Sequence, residues 1–161
     1  MVISVNDIRA CIASIPDPEI PVITIKELGI LRNIKWQEGR CEVSITPTYT
    51  ACPAMPMIEQ QIKERLNDIG VQEVDVKMVY SPAWSTDWLS DEAKEKMRAY
   101  GIAPPLHSSC SKLFDAKAQS ISCPRCNSKQ TDLISRFGST ACKAYYLCSS
   151  CKETFEHFKC H

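Results

Sequence analysis

Arg40-Cys-Glu-Val-Ser-Ile-Thr46-Pro-Thr-Tyr-Thr-Ala-Cys52-Pro-Ala-Met-Pro-Met-Ile58 is the stretch on which the fold turns. Cys41, Val43 and Ile45 alternate with Glu42, Ser44 and Thr46, the two-residue period of a strand with one buried face. The period then changes. Ile58, Ile62, Leu66 and Ile69 recur at helical spacing, with Glu59, Gln60, Lys63 and Glu64 on the opposite face, and Gly70 stands where a helix often ends. A strand that passes through a proline-bearing loop into an amphipathic helix begins an α/β unit, and Cys52-Pro53 is placed at the opening of that helix.

Working outward, Ile30–Gln37 reads as a partner strand joined to Arg40–Thr46 through the turn Glu38-Gly39. Ser4–Ile15 carries Val5, Ile8, Cys11, Ile12 and Ile15 at helical spacing and stops at the proline-rich Pro16-Asp-Pro-Glu-Ile-Pro21. Downstream, Val74, Val76, Met78 and Tyr80 alternate as a third strand. Ser81–Trp88 is a loop, and Ser90 caps a charged helix ending near Tyr100-Gly101. The expected architecture is α+β: a small α-β-β-α-β domain over residues 1–103, a linker over 104–121, and a second unit over 122–161.

The chain has 161 residues, 44% hydrophobic and 24% charged, enough for one ordinary domain and a small appendage. Basic and acidic side chains balance at 19 each, which argues against holding nucleic acid by charge. The balance hides an asymmetry. Residues 1–100 hold 11 basic and 15 acidic groups, and residues 101–161 hold 8 and 4, a split expected of parts that attract one another or face different partners. No signal-peptide pattern opens Met1–Asp7 and no apolar run reaches the ~18–20 residues of a membrane span, so the chain reads as soluble and cytoplasmic. In a reducing cytoplasm ten cysteines read as metal ligands or reactive thiols.

Cys123-Pro-Arg-Cys126 and Cys148-Ser-Ser-Cys151 are two C-x2-C pairs, and a tetrahedral metal is served by four thiolates from two such turns. Asn127 follows the first pair where a left-handed residue is needed. A structural Zn2+ is expected, with iron as the rival for the same sulfurs. Cys142, Cys160, His157 and His161 are candidates for a second metal site. Arg125, Arg136, Lys143, Lys152 and Lys159, with Tyr145, Tyr146, Phe155 and Phe158, form either a stacking surface for single strands or the unit's own small core.

Cys52 lies between a strand and a helix start, where helical N–H groups favour a thiolate, and Asp17 and Glu19 sit in a stiff loop able to fold over the same end of the sheet. This set is a candidate for transient holding of iron or a cluster; the alternative is a small buried cysteine. Trp84 and Trp88 are core residues or a partner-contact surface.

Asp17-Pro-Glu-Ile-Pro21, Leu28-Gly29-Ile30 and Thr46-Pro-Thr-Tyr-Thr-Ala-Cys52-Pro resemble the iron–sulfur assembly domain of SufT-like proteins. With Pro82-Ala-Trp84-Ser-Thr-Asp-Trp88-Leu-Ser90, the four-cysteine unit, Arg136-Phe-Gly-Ser-Thr-Ala-Cys142-Lys-Ala144 and Phe158-Lys-Cys-His161, the chain is similar to the PaaD/PaaJ family, accessory proteins of phenylacetyl-CoA epoxidase systems in phenylacetate catabolism. The resemblance implies an accessory or maturation role in assembling or inserting an iron–sulfur or di-iron centre, with Cys52, Asp17 and Glu19 as the transfer cluster and the epoxidase subunits or iron–sulfur assembly proteins as partners. It adds weight to Cys142 and Cys160. Ala51 departs from the glycine common before this cysteine.

Four functional classes follow. A maturation factor without catalytic activity of its own accounts for all of these features. A catalytic di-iron subunit needs Glu-x-x-His pairs, and no histidine here has Glu three residues before it. A structural ribbon subunit, or a module that binds nucleic acid or protein without metal transfer, is the alternative, with neutral charge against nucleic acid. A thiol oxidoreductase would need the C-x2-C pairs free of metal. Self-association is left open.

Overall fold

The computed structural model describes residues 3–106 and 120–159, and Cys110, Cys160 and His161 lie outside the described residues. The chain divides into two compact units, Met1–Trp84 and Ser85–His161.

In the first unit, α1 (Val5–Ala13) starts from a reciprocal cap: the Ser4 hydroxyl accepts from the Asp7 N–H, and the Asp7 carboxylate accepts from the Ser4 N–H. β1 (Leu31–Gln37) and β2 (Arg40–Ile45) form the expected antiparallel hairpin. Its turn residues Glu38 and Gly39 both have positive φ, 49° and 84°, the geometry that matches strand twist in a two-residue loop. α2 (Met55–Asp68) then crosses back to β3 (Glu73–Met78), which pairs parallel to β2, giving the order β1-β2-β3.

The alternation sorts the two faces. Cys41, Val43 and Ile45 are buried together with Ile8 and Ile12 of α1 and Ile58, Ile62 and Leu66 of α2. Each of the valine, leucine and isoleucine side chains contributes about 1.5–3 kcal/mol by leaving water. On the other face Glu42 pairs with Lys35 and Lys77. Trp84 closes this unit, and its indole N–H donates to the Leu28 carbonyl at 2.8 Å.

The chain divides at Trp84/Ser85, ahead of residue 103, where the sequence reading ends the first domain. α3 (Asp91–Tyr100) ends at Gly101, whose φ of 95° turns the chain into β4 (Ile102–Ala103). β4 pairs parallel with β7 (Thr154–Phe158), so the segment is held by the second sheet and belongs to that unit. With β5 (Thr131–Ser135) and β6 (Lys143–Cys148) the order is β4-β7-β6-β5. A core of Ala103, Ile121, Cys123, Cys148 and Phe155 packs with Tyr146 and Cys151.

Candidate functional site

The two C-x2-C turns are built alike. Asn127 donates its N–H to the Cys123 carbonyl and Lys152 donates to that of Cys148, each at 2.9 Å. Both residues are left-handed, with φ of 59° and 64°. The folded-back turns bring four sulfurs together: Cys123 lies 3.8 Å from Cys151 and Cys126 lies 3.5 Å from Cys148, with all four within 4.8 Å. A tetrahedral ion with bonds of ~2.3 Å sets its ligand sulfurs ~3.8 Å apart, so the donor set fits one metal ion.

Backbone N–H groups aim at the same sulfurs. The Cys151 and Ser150 N–H groups, against burial, bring Cys148 down to about 6. The Ser128 N–H favours the Cys126 thiolate, but burial and the sulfurs of Cys148, Cys151 and Cys123 together push that thiol up to about 12. Protons are thus shared among sulfurs that a cation would relieve of all of them. Among the described residues this quartet is the one group of three or more His, Cys, Asp or Glu ligands drawn close enough to hold an ion.

The first unit carries a second arrangement, at the carboxyl ends of β2 and β3, where α/β folds present ligands. Cys52 sits in the turn between β2 and α2, its N–H donating to the Tyr49 carbonyl. The helix opens at Met55 with Pro56 inside its first turn, so Cys52 precedes the helix by a few residues. Cys52 is 9% exposed. Burial pushes it above the ordinary cysteine value, opposed by the Ala54 N–H and the Thr48 hydroxyl and reinforced by the charges of Glu19 and Asp17. This corrects the expectation of a lowered pKa: the helical N–H is present, but desolvation and two carboxylates outweigh it.

Asp17 and Glu19 are therefore within electrostatic reach of Cys52. Asp17 also has a structural task. Its Oδ1 accepts from the N–H groups of Glu19 (2.9 Å) and Ile20 (2.8 Å), fixing the proline-rich loop. Thr46 and Thr48, buried in the segment leading to Cys52, were missed. The Thr46 hydroxyl finds no hydrogen-bond partner among the described residues, and a hydroxyl a few residues from a cysteine gives no sequence signal of its own.

Other expectations fare differently. Trp84 is 4% exposed and bonded inward, so it is core and not a partner contact, whereas Trp88 is half-buried. His157 is buried, with Nδ1 3.1 Å from the Ala103 carbonyl, and Cys142 lies 3.0 Å from the Thr140 hydroxyl. Neither joins a metal-holding group among the described residues, and Cys160 and His161 fall outside them. Phe155, Phe158 and Lys143 are buried and so drop out of the suggested stacking surface, whereas Arg125, Arg136, Tyr145 and Lys152 are exposed.

Residues 6–79 match the family model of an iron–sulfur cluster assembly protein, and residues 108–159 match that of the PaaD zinc beta ribbon domain. Over 156 residues the chain is 46% identical to a protein of Escherichia coli (strain K12) named as a putative component of 1,2-phenylacetyl-CoA epoxidase, covering 97% of this chain and 93% of that protein. The chain belongs to the PaaD family. Its assembly-type unit is shared more widely. The Fe-S protein maturation auxiliary factor SufT of Staphylococcus aureus (strain USA300) is 39% identical over 80 residues, 48% of this chain and 90% of that protein. A solved domain of unknown function (DUF59) from Bacillus anthracis superposes with a TM-score of 0.51 at 29% identity, over 55% of this chain and 86% of that one. PaaD-family membership thus joins an iron–sulfur assembly unit to a four-cysteine ribbon in one chain. No helix of the described residues is long and apolar enough to cross a membrane.

Proposed function

We propose that this protein is an accessory maturation factor that helps to assemble or insert the iron–sulfur or di-iron centre of the phenylacetyl-CoA epoxidase, working in the cytoplasm with epoxidase subunits or iron–sulfur assembly proteins. What supports this reading is a sheltered cysteine, Cys52, that feels the charges of Glu19 and Asp17 at the strand ends of an assembly-type fold. Iron is the cargo. An Fe2+ ion approaching Asp17 and Glu19 is drawn by their charge, the sulfur–iron bond forms as the thiol proton leaves to solvent, and the raised pKa keeps the thiol protonated until a cation arrives.

In the ribbon, Cys123, Cys126, Cys148 and Cys151 would hold Zn2+ as a resident ion. Zn2+ supplies no reaction there; it ties the two turns together, as closed four-thiolate sites do.

The test is co-production of the epoxidase with Cys52→Ser protein. The epoxidase should emerge deficient in iron and activity while the variant keeps its fold and its zinc. Fully metallated, active epoxidase would remove Cys52 from the function.

A further inference from the structure

β5 is the outer strand of the second sheet, with β6 on one side and no strand on the other among the described residues. Outer strands are usually blunted by charge, proline or cover, because their backbone can template a foreign strand. Here the strand and its continuation present large apolar groups instead: Leu133 is 48% exposed, Ile134 53% and Phe137 66%, with Tyr145 of β6 also exposed. The register of β5 on β6 slips between Leu133 and Ser135, placing Ile134 at the irregularity. Phe137 is held in place. The Lys159 ammonium sits 4.8 Å from the centre of its ring and donates to the Arg136 carbonyl at 3.0 Å.

Charge sorts the same edge. Asp132, the one acid on β5, accepts from the Ser149 hydroxyl at 2.8 Å and is engaged within its own sheet. Arg136 is exposed and Lys159 half-exposed beside Phe137, in a part of the chain with 8 basic and 4 acidic groups.

We infer that the β5 edge with Phe137 is a docking site for an extended, acidic segment of another protein that carries aliphatic side chains. The free edge of β5 offers a main-chain ladder, Leu133, Ile134 and Phe137 offer apolar contact, and Arg136 and Lys159 meet carboxylates. A nucleic-acid strand fits this face less well, since two flanking cations give few phosphate contacts, and the Lys159 ammonium already lies over the Phe137 ring.

The experiment selects short displayed random peptides on the full-length, metal-loaded protein and compares the double variant Leu133→Lys/Phe137→Ala and the single exposed variant Arg136→Glu. Metal content and the sheet signal in circular dichroism serve as folding controls. The expected result is a selected consensus in which Asp or Glu alternates with aliphatic residues. A synthetic consensus peptide should bind roughly tenfold more weakly to each variant, and more weakly as salt is added. A basic consensus, no consensus, or affinity indifferent to both variants would overturn it. So would tighter binding of a single-stranded oligonucleotide than of the peptide. A dimer in sedimentation that Leu133→Lys dissolves would show that a second copy of this chain covers the edge, and would overturn it equally.

Discussion

Asn127 and Lys152 hold equivalent places in the two cysteine turns: each is left-handed, and each closes its turn onto the carbonyl of the first cysteine. They are not equally suited to the task. Asn enters this region at little cost, whereas a Lys side chain pays about 1–2 kcal/mol in steric crowding. Lys152→Gly should therefore raise the unfolding free energy of the metal-loaded second unit by up to about 1 kcal/mol, the relief being partly offset by the greater freedom of glycine in the unfolded chain. Guanidinium unfolding with unchanged metal content is the check, and no gain in midpoint would show that the turn carries no such crowding.

Metal removal should act on one unit. The core around the quartet includes two of its own ligands, Cys123 and Cys148, so losing the ion loosens the packing of Ile121 and Phe155 as well. Cys123→Ser should release the bound ion and abolish the cooperative unfolding of the second unit, while the isoleucine-rich first unit keeps its own transition. Metal analysis alongside thermal unfolding reads both. A variant with full metal content and both transitions intact would refute the four-sulfur site.

Cys52 should react slowly. Its burial and the charges of Glu19 and Asp17 all keep it protonated, so alkylation by iodoacetamide should rise with pH beyond the range where an ordinary cysteine has levelled off. Glu19→Gln removes one of the charges that hold the pKa up and should speed alkylation at pH 8 by a few-fold. Asp17→Asn tests the same field less cleanly, because Asp17 also fixes the loop through two backbone N–H groups. Mass spectrometry of the Cys52 peptide gives the rates; a slower reaction in Glu19→Gln would reverse the assigned sign.

Gly138 is a steric requirement of the ribbon. A Cβ there would lie 2.5 Å from the Glu156 carboxylate oxygen and 3.3 Å from the Lys143 side chain. That carboxylate is tied to Lys143 at 3.1 Å and accepts from the Ser139 N–H, so it cannot move aside without breaking a nearly buried ion pair. Gly138→Ala should cost about 1–3 kcal/mol, and Lys143→Met about 3 kcal/mol or more by leaving Glu156 without its cation. Both are read from denaturant midpoints of metal-loaded protein.

Much of this was legible in the sequence because the signals are local. The alternation of Cys41, Val43 and Ile45, the helical period from Ile58 to Leu66 and the C-x2-C spacing each depend on near neighbours, and each appears as read. What was not legible depended on distant residues. β4 is two residues long and exists because β7 offers it an edge more than fifty residues away, a pairing that no local signal announces. Trp84 is core because of the Leu28 carbonyl, and the direction of the Cys52 shift follows from how deeply the fold buries it against Asp17 and Glu19. Helix-start chemistry alone points to the opposite sign.

His157 supplies a pH dependence. Burial, with Lys159 nearby and against the Ala103 carbonyl, lowers its pKa from 6.5 to about 4. The folded state thus prefers the neutral ring, and the stability this confers is complete above pH 6.5 and is lost as pH falls through about 4. The gap corresponds to about 3 kcal/mol at full effect. His157→Gln keeps a group able to meet the Ala103 carbonyl but cannot titrate. The quartet of sulfurs also gains protons in acid, but it is common to both proteins, so the difference between their stability curves isolates the imidazole. That difference should be flat above pH 6.5 and should move in favour of the variant towards pH 4. Parallel curves across that window would mean that the imidazole opens to water before it takes up its proton.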